Sequence, residues 1–221
     1  VSSNASYTFT MPAKNYTLVA KFTAISYTIT YDLVGGSLET GKTNPTTYTI
    51  ITENFTLNNP VKTGYTFTGW TGSNGTTAQT TVTISKGSVG NKTYTANWTI
   101  NSYELTINPS GGTWGGVTTN STAKQNYLTT KKIAVPSRIG YTFAGWKLTG
   151  AGSITEIAPI STTEQTYTYG AGNATLTANW TVNKYTLTRT AETGGNVSGT
   201  TGSVAYGTNV TLTATANAGY T

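Results

Sequence analysis

The heptapeptide GYTFTGW at residues 64–70 recurs with one substitution as GYTFAGW at residues 140–146. In the first copy Tyr65, Phe67 and Gly69 alternate with threonine, the period of two that is typical of a β-strand with one buried face. A glycine on that face leaves room for a large ring to lie across it. The heptapeptide therefore predicts an aromatic strand that occurs at least twice in the chain.

Two more sequence features recur together with the heptapeptide. Strands that end in an aromatic residue are expected at residues 18–22, 94–98 and 176–180, and the last two read YTANW and LTANW. After four further residues, each is followed by a tyrosine that opens a new strand: Tyr27, Tyr103 and Tyr185. Self-similarity at a long, nearly constant spacing predicts a tandem array of one kind of small module.

The recurrences divide the chain into four parts. Two complete modules are predicted at residues 26–99 and 102–181. Residues 1–25 have the pattern of the C-terminal part of a further module. Residues 184–221 have the pattern of an N-terminal part, in which the heptapeptide begins again as GYT at residues 219–221. Because both flanks are partial, we expect the chain to be a section of a longer polypeptide.

Each complete module is expected to hold four or five strands and at most one short helical turn. In the opening strand Tyr27, Ile29 and Tyr31 alternate with polar residues. A second strand is predicted over residues 47–57, with a change of phase that indicates a β-bulge. Residues 85–90 have room for one helical or 3₁₀ turn. The predicted fold class is mainly β, with small modules in an elongated tandem array.

A pair of glycines follows each opening strand. Glycine adopts positive φ without a steric penalty, so each pair predicts a tight turn, either a hairpin or a bulge. The predicted turn glycines are Gly35, Gly36, Gly111, Gly112, Gly194 and Gly195.

The aromatic residues are expected to form the module cores. Each buried Trp or Tyr removes about 150–250 Å² from water, which is about 4–6 kcal/mol before entropy is subtracted. Tyr65 and Phe67 are in phase with the buried face, whereas Trp70 marks the point at which that strand emerges. The predicted core aromatics are Tyr27, Tyr65, Phe67, Trp70, Trp98, Tyr103, Tyr141, Phe143, Trp146, Trp180 and Tyr185.

Short linkers join the predicted modules. They comprise residues 23–26, 99–102 and 181–184. Four residues span at most about 14 Å. None of these residues is glycine and each linker contains a branched aliphatic residue, unlike a flexible Gly/Ser tether. We therefore expect successive modules to touch and the array to bend little.

The composition lacks the side chains on which most catalytic mechanisms depend. With no Cys and no His, the chain lacks disulfides, thiolate metal sites and the histidine proton shuttle. None of the seven acidic residues recurs at an equivalent module position or belongs to a paired-carboxylate motif. We predict that the chain is not an enzyme and has no catalytic, metal-binding or cofactor-binding residue and no cofactor. Ligand-binding residues and intramolecular Lys–Asn or Thr–Gln cross-links are left open.

The net charge of +6 comes from scattered basic residues, and Lys131-Lys132 is the only adjacent pair. The sequence contains no basic stripe, so nucleic acid is not an expected partner. No apolar run approaches the roughly 20 residues of a membrane helix. We therefore predict no membrane span in this section.

With these residues in place, the two complete modules resemble Listeria–Bacteroides repeats, also called internalin B-type B-repeats. The resemblance rests on the opening tyrosines, the Gly-Gly turn, the heptapeptide and the closing Ala-Asn-Trp. The flanks resemble the divergent subgroup of these repeats through residues 11–18 and 194–213. The resemblance implies a β-grasp-like or sandwich-like unit without shared catalytic residues. It also implies a role as stalk, spacer or adhesion module in a long bacterial surface protein.

We accordingly predict a non-enzymatic stalk or spacer section of a bacterial cell-surface or secreted protein, located outside the cell and supporting adhesion or display. One alternative is an adhesive module that binds a host protein or cell-wall glycan through loops such as residues 73–77 or 150–156. Another is a filament subunit that self-assembles by strand complementation of its split terminal modules. The expected partners are neighbouring repeats of the same polypeptide, with self-association or a host or cell-wall ligand left open.

Overall fold

The computed structural model describes residues 6–221. Over this range the chain forms eighteen β-strands and no helix. The strands belong to two complete modules and a C-terminal half-module, in sheets of two to five strands. The predicted fold class, a mainly β repeat array, is confirmed, but each complete module contains seven strands rather than the four or five expected.

The first module contains seven strands: β1 (Ser26–Asp32), β2 (Thr47–Thr49), β3 (Phe55–Thr56), β4 (Tyr65–Gly72), β5 (Gly75–Gln79), β6 (Thr83–Ile84) and β7 (Lys92–Ile100). Five of them form one sheet in the order β2-β1-β7-β4-β5, while β3 and β6 form a separate pair. The closing strand β7 is parallel to β1 and antiparallel to β4. It therefore lies in the middle of the sheet, with hydrogen-bonded neighbours on both edges.

The second module repeats the central part of this arrangement, except that its strand after the heptapeptide strand joins the smaller sheet. Its strands are β8 (Ser102–Asn108), β9 (Ser121–Asn126), β10 (Thr130–Ile133), β11 (Tyr141–Gly150), β12 (Ser153–Thr155), β13 (Gln165–Thr168) and β14 (Ala174–Val182). The main sheet has the order β11-β14-β8-β9, and β10, β13 and β12 form a second sheet. The closing strand β14 is again parallel to the opening strand β8 and antiparallel to the heptapeptide strand β11.

The C-terminal half-module contains only the opening part of this pattern. Its strands are β15 (Lys184–Leu187), β16 (Gly195–Gly199), β17 (Gly202–Ala205) and β18 (Leu212–Ala216). β15 pairs with β17, and β16 pairs with β18. The first of these pairs corresponds to β1 and β2, because Tyr185 lies opposite Val204 as Tyr27 lies opposite Tyr48.

The strand predicted at residues 18–22 does not form. Residues 6–25 contain no strand or helix, and Phe22 is 92% exposed. A strand needs neighbours for its backbone N–H and C=O groups. In the complete modules those neighbours are the opening and heptapeptide strands of the same module, and none precedes residues 18–22 within the described range.

A β-bulge in the heptapeptide strand determines where Trp70 lies. The register between β4 and β7 shifts between Phe67 and Gly69, and Gly69 has a φ of 134°. A Cβ atom at Gly69 would lie 2.5 Å from the backbone nitrogen of Gln79. Because the bulge changes the phase, Gly69 and Trp70 are both buried. The expectation that the strand emerges at Trp70 was therefore wrong.

The strand predicted over residues 47–57 is two strands in different sheets. The Thr52 amide donates to the Thr49 carbonyl at 3.0 Å, and the Thr49 amide donates to Thr52 Oγ1 at 2.9 Å. These bonds close a turn, after which β3 pairs with β6 rather than with β1. The change of phase thus marks a corner and not a bulge. Residues 85–90 form a turn rather than a helix.

The two module cores differ at one buried hydrogen bond. Trp70 Nε1 donates to Asn59 Oδ1 at 3.0 Å. Val135 occupies the corresponding position of the second module, five residues before its heptapeptide. The buried Nε1 of Trp146 accordingly has no hydrogen-bond partner within the described residues. A buried donor without an acceptor costs about 1–3 kcal/mol.

Exchanging these two side chains should change the stability of the modules in opposite directions. We expect Asn59→Val to destabilise the first module by about 1–3 kcal/mol, because Trp70 Nε1 stays buried without an acceptor. Val135→Asn should stabilise the second module by about 0.5–1.5 kcal/mol, because it supplies the acceptor that Trp146 lacks. Urea unfolding followed by tryptophan fluorescence measures both changes. An unchanged free energy of unfolding in Asn59→Val would contradict a stabilising role for the hydrogen bond from Trp70 Nε1 to Asn59 Oδ1.

Candidate functional site at the module joints

The linkers between modules are much shorter than the sequence predicts. β7 ends at Ile100 and β8 begins at Ser102, so Asn101 is the only residue between them. The second linker is likewise reduced to one residue, Asn183, between β14 and β15. The predicted four-residue linker is shortened because residues 99 and 100 continue the pairing of β7 with β4.

Asn101 connects the two modules through its backbone. Its amide donates to the Gly64 carbonyl at 2.9 Å, and its carbonyl accepts from the Tyr127 amide at 2.9 Å. Its side-chain Oδ1 also accepts from the Thr66 hydroxyl at 2.6 Å. The linker residue is therefore held by the first module on one side and by the second module on the other.

The ring of Tyr127, from the second module, lies directly against Gly64 of the first. Gly64 has a φ of 78°, and a Cβ atom there would overlap the Tyr127 ring. The same ring meets Tyr65 edge-on, with ring centroids 6.1 Å apart and an angle of 82° between the planes. Glycine is required at this position by both its backbone conformation and the space that the tyrosine occupies.

A cation links the joint to the turn inside the first module. Lys62 Nζ lies 4.2 Å from the centroid of the Tyr65 ring and donates to the Val34 carbonyl at 2.9 Å. Cation–π contacts at exposed sites contribute about 0.5–1 kcal/mol. Lys62 thereby joins the ring at the module boundary to the Gly-Gly turn of the same module.

The second joint repeats every one of these contacts with different residues. Asn183 donates to the Gly140 carbonyl at 2.9 Å and accepts from the Tyr206 amide at 2.8 Å. Tyr206 meets Tyr141 edge-on at 6.0 Å, and a Cβ atom on Gly140 would overlap its ring. The remaining contacts are Thr142 Oγ1 to Asn183 Oδ1 at 2.6 Å, Arg138 Cζ to the Tyr141 centroid at 3.8 Å, and Arg138 Nη1 to the Ser110 carbonyl at 3.2 Å.

The Gly-Gly turns support the closing tryptophans. A Cβ atom on Gly36 would lie 2.5 Å from the Trp98 ring, whose Nε1 donates to the Leu33 carbonyl at 3.1 Å. Trp180 has the same relation to Gly112 and to the carbonyl of Pro109. The first glycine of each pair provides the positive φ of the turn, and the second leaves room for the indole ring.

The predicted core aromatics occupy four kinds of environment. Trp70, Phe143 and Trp146 are buried. Those that pack against the cores while partly exposed are Tyr27, Phe67, Trp98, Tyr103 and Trp180. Tyr65 and Tyr141 are half-buried at the joints. Tyr185, expected in a core, is 54% exposed, because β15 has a neighbour on one edge only among the described residues.

The predicted turn glycines also differ in role. Gly35, Gly111 and Gly194 have positive φ angles of 77°, 80° and 108°. The second glycine of each pair does not have a positive φ angle. Gly36 and Gly112 face tryptophan rings, whereas Gly195 is the first residue of β16.

Sequence reasoning missed the residues that make the joints. They are Lys62, Asn101, Tyr127, Arg138, Asn183 and Tyr206. Two signals were present: an asparagine in the third position of both later linkers, and a basic residue two positions before each complete heptapeptide. The docking tyrosines had no such signal, because their partners lie in a different module.

Burial governs the ionisation of the core tyrosines. Burial, with a smaller effect of the neighbouring Tyr94 phenol, raises the pKa of Tyr31 to about 12. Burial also raises the pKa of Tyr48, Tyr94, Tyr167 and Tyr169. These phenols are therefore neutral near neutral pH and provide no general base there.

Within residues 6–221, no three His, Cys, Asp or Glu side chains cluster to hold a metal ion. A groove of about 780 Å³ beside the second joint is lined by residues including Arg138, Ile139, Tyr141 and Tyr206, but by no carboxylate. The same part of the chain has no helix that is long and apolar enough to span a membrane.

The fold and the joints define a tandem array of small β-modules that dock end to end. The chain matches the Listeria-Bacteroides repeat domain over residues 27–100 and 103–179, more than half of its length. The divergent InlB B-repeat domain matches residues 1–26 and 185–221. The chain belongs to the Listeria-Bacteroides repeat family. Searches of curated proteins and of solved structures found no match.

Family membership indicates the general setting of the chain. Listeria-Bacteroides repeats occur in bacterial surface or secreted proteins and are typically non-catalytic modules. The chain is thus a repeat region of the kind found in surface proteins, with neighbouring repeats as contacts within one polypeptide.

Replacing Gly64 should open the first joint selectively. Gly64→Ala adds a methyl group where the Tyr127 ring lies, whereas Gly41→Ala introduces the same side chain at a similar φ of 82° with open space around it. We expect amide hydrogen exchange at Asn101 and Tyr127 to accelerate by at least about tenfold in Gly64→Ala, which corresponds to about 1.4 kcal/mol. Gly41→Ala is the control. Equal loss of hydrogen-exchange protection in both variants would contradict the contact between Tyr127 and Gly64 at the joint.

The tyrosine pKa values predict loss of stability at alkaline pH. Because the folded state raises these pKa values above the ordinary value of 10.0, their stabilising contribution is complete below pH 10 and is lost as pH rises toward 12. We expect the melting temperature to fall over this window. Tyr31→Phe, which removes one such phenol, should lessen the fall. Equal pH profiles for the two proteins would contradict the burial effect at Tyr31.

Proposed function

We propose that the complete modules at residues 26–99 and 102–181 form a stiff, non-catalytic stalk section that holds other parts of a bacterial surface protein away from the cell. The observation that carries the proposal is the joint. One linker residue is hydrogen-bonded to both neighbours, and a tyrosine of the following unit lies in a space left by glycine.

The joint contacts favour one arrangement of neighbouring modules. An aromatic pair contributes about 0.5–1.5 kcal/mol, a cation–π contact about 0.5–1 kcal/mol and a hydrogen bond about 1 kcal/mol. A net preference of only about 1.4 kcal/mol keeps docked modules in about tenfold excess over undocked ones. Recurrence of the contacts at both joints supports a property of the array rather than of one module pair.

The strand order also suits a part that carries load. The chain enters the first module through β1 and leaves it through β7, and these two strands are parallel neighbours. Tension applied to the two ends therefore pulls the strands along their length in opposite directions. The hydrogen bonds between them are loaded together rather than one after another. β8 and β14 have the same relation in the second module.

Distance measurements between spin labels test the stiffness directly. Because the chain has no Cys, Lys86→Cys in the first module and Thr118→Cys in the second provide two unique labelling sites. We expect a narrow distance distribution in the otherwise unchanged chain and a broad one after Tyr127→Ala, which removes the docking ring.

A label pair within one module provides the control. Lys42→Cys with Lys86→Cys should give a narrow distribution both with and without Tyr127→Ala. A broad distribution between the modules of the otherwise unchanged chain would refute the stalk proposal, because the joint would then not hold its neighbours in one orientation.

A further inference from the structure

The first module contains a small polar pocket. Its volume is about 270 Å³, and it lies between the turn that joins β4 to β5, the segment around β6 and the beginning of β7. All of the residues that line it fall within residues 73–94, inside a complete module. Pockets for drug-sized ligands typically measure about 300–1,000 Å³ and are mainly apolar. A smaller pocket with a mainly polar lining suits a smaller and more polar ligand.

Hydroxyl and amide groups are frequent among the lining residues. Thr81, Ser85 and Ser88 carry hydroxyls, and Asn74 and Gln79 carry amides. Both kinds of group donate as well as accept hydrogen bonds. A sugar carries hydroxyls around its ring that also donate and accept. The lining therefore matches the hydrogen-bonding capacity of a sugar.

Lys92 adds a positive charge to this lining. It is the first residue of β7, half-buried and in phase with the buried Tyr94. Its Nζ donates to the Val89 carbonyl at 3.4 Å, and the one ion pair among the described residues joins Lys86 to Glu53. None of the described residues that line the pocket carries a carboxylate. Because a charge on the inward face of a strand costs free energy unless it is paired, an anionic ligand would be favoured here.

The second module has no charge at the corresponding position. Lys92 pairs with Ile29 of the opening strand β1. Ala174 pairs in the same way with Leu105 of the opening strand β8, and it is buried. The small apolar residue of the second module shows that the fold does not need a lysine at this position.

A tyrosine bridges the corresponding region of the second module. Tyr167 pairs with Lys131, and its hydroxyl donates to the Ala151 carbonyl at 2.7 Å, in the turn after the heptapeptide strand. The corresponding residue of the first module is Ile84, which pairs with Phe55. Phe55 and Lys131 each stand five residues before a proline that precedes the heptapeptide. Because Ile84 is shorter than tyrosine, a pocket remains between the two elements that Tyr167 connects.

We propose that the pocket of the first module binds one hexuronic acid unit. The hydroxyls of the sugar meet the hydroxyl and amide groups of the lining, and its carboxylate meets the ammonium group of Lys92. A hydrogen bond between two charged groups is about twice as strong as a neutral one, so the lysine selects the acid over a neutral sugar of the same size. The small volume limits the ligand to a single sugar unit. This inference goes beyond the stalk function and does not depend on it.

Titration of the ¹⁵N-labelled 221-residue chain with D-glucuronate, followed by NMR at constant pH and ionic strength, tests the site. We expect saturable shifts at the amides of Ser73, Asn74 and residues 81–85. D-glucose, the matched neutral sugar, and acetate, a carboxylate without a sugar, should each bind at least about tenfold more weakly. The amide of Ala151 is an internal control and should not shift. The proposal is overturned by the absence of saturable shifts at residues 73–85, or by equal affinity for D-glucuronate and D-glucose.

A pair of lysine variants tests the role of the charge. Lys92→Ala introduces the residue that the second module has at this position, so the fold should persist, and the NMR spectrum checks it. We expect the affinity for D-glucuronate to fall at least about tenfold, while the weak binding of D-glucose is unchanged. Lys86→Ala is the control, because it removes an exposed lysine that does not line the pocket. Equal losses of affinity in both variants would show that binding follows net charge, and would overturn the site.

Discussion

The hydrogen bonds on both edges of the closing strand are the constraint on which the rest of each module depends. β7 is parallel to the opening strand β1 and antiparallel to the heptapeptide strand β4. In the second module β14 is likewise parallel to β8 and antiparallel to β11. Because β4 runs opposite to β7, the end of the closing strand lies beside the beginning of the heptapeptide. The linker residue Asn101 therefore comes next to Gly64, and the following module begins there. The joint is a direct consequence of the strand order.

The joint is also connected to the module interior through a short series of contacts. The closing Trp98 ring lies against the Gly-Gly turn and donates a hydrogen bond to its backbone. Lys62 donates to the next carbonyl of the same turn and lies over Tyr65, which in turn meets Tyr127 of the following module. Packing inside one module thus positions the surface on which the next one docks. Most of these groups are only partly buried, so each contributes modestly and the arrangement relies on their number.

Particular residues show how far sequence reasoning reaches. The alternation in β1 and in the heptapeptide predicts strands that the structure contains, because period-two burial is a local property. The same reasoning misplaced Trp70, since the bulge at Gly69 depends on a neighbouring strand that the local pattern does not include. It extended a strand through residues 47–57, where a side-chain hydrogen bond of Thr52 closes a corner. It also counted four linker residues where strand pairing leaves only Asn101.

The sequence by itself determined that this chain is a tandem array of β-modules of the Listeria-Bacteroides repeat family. Repetition, strand periodicity and the absence of Cys and His are all properties of residue order and composition. Only the tertiary structure decided which surfaces the modules share. Tyr127 reaches Gly64, and Tyr206 reaches Gly140, because a central parallel strand brings distant parts of the chain together. Contacts of this kind depend on strand order and register, which a single sequence pattern does not encode locally.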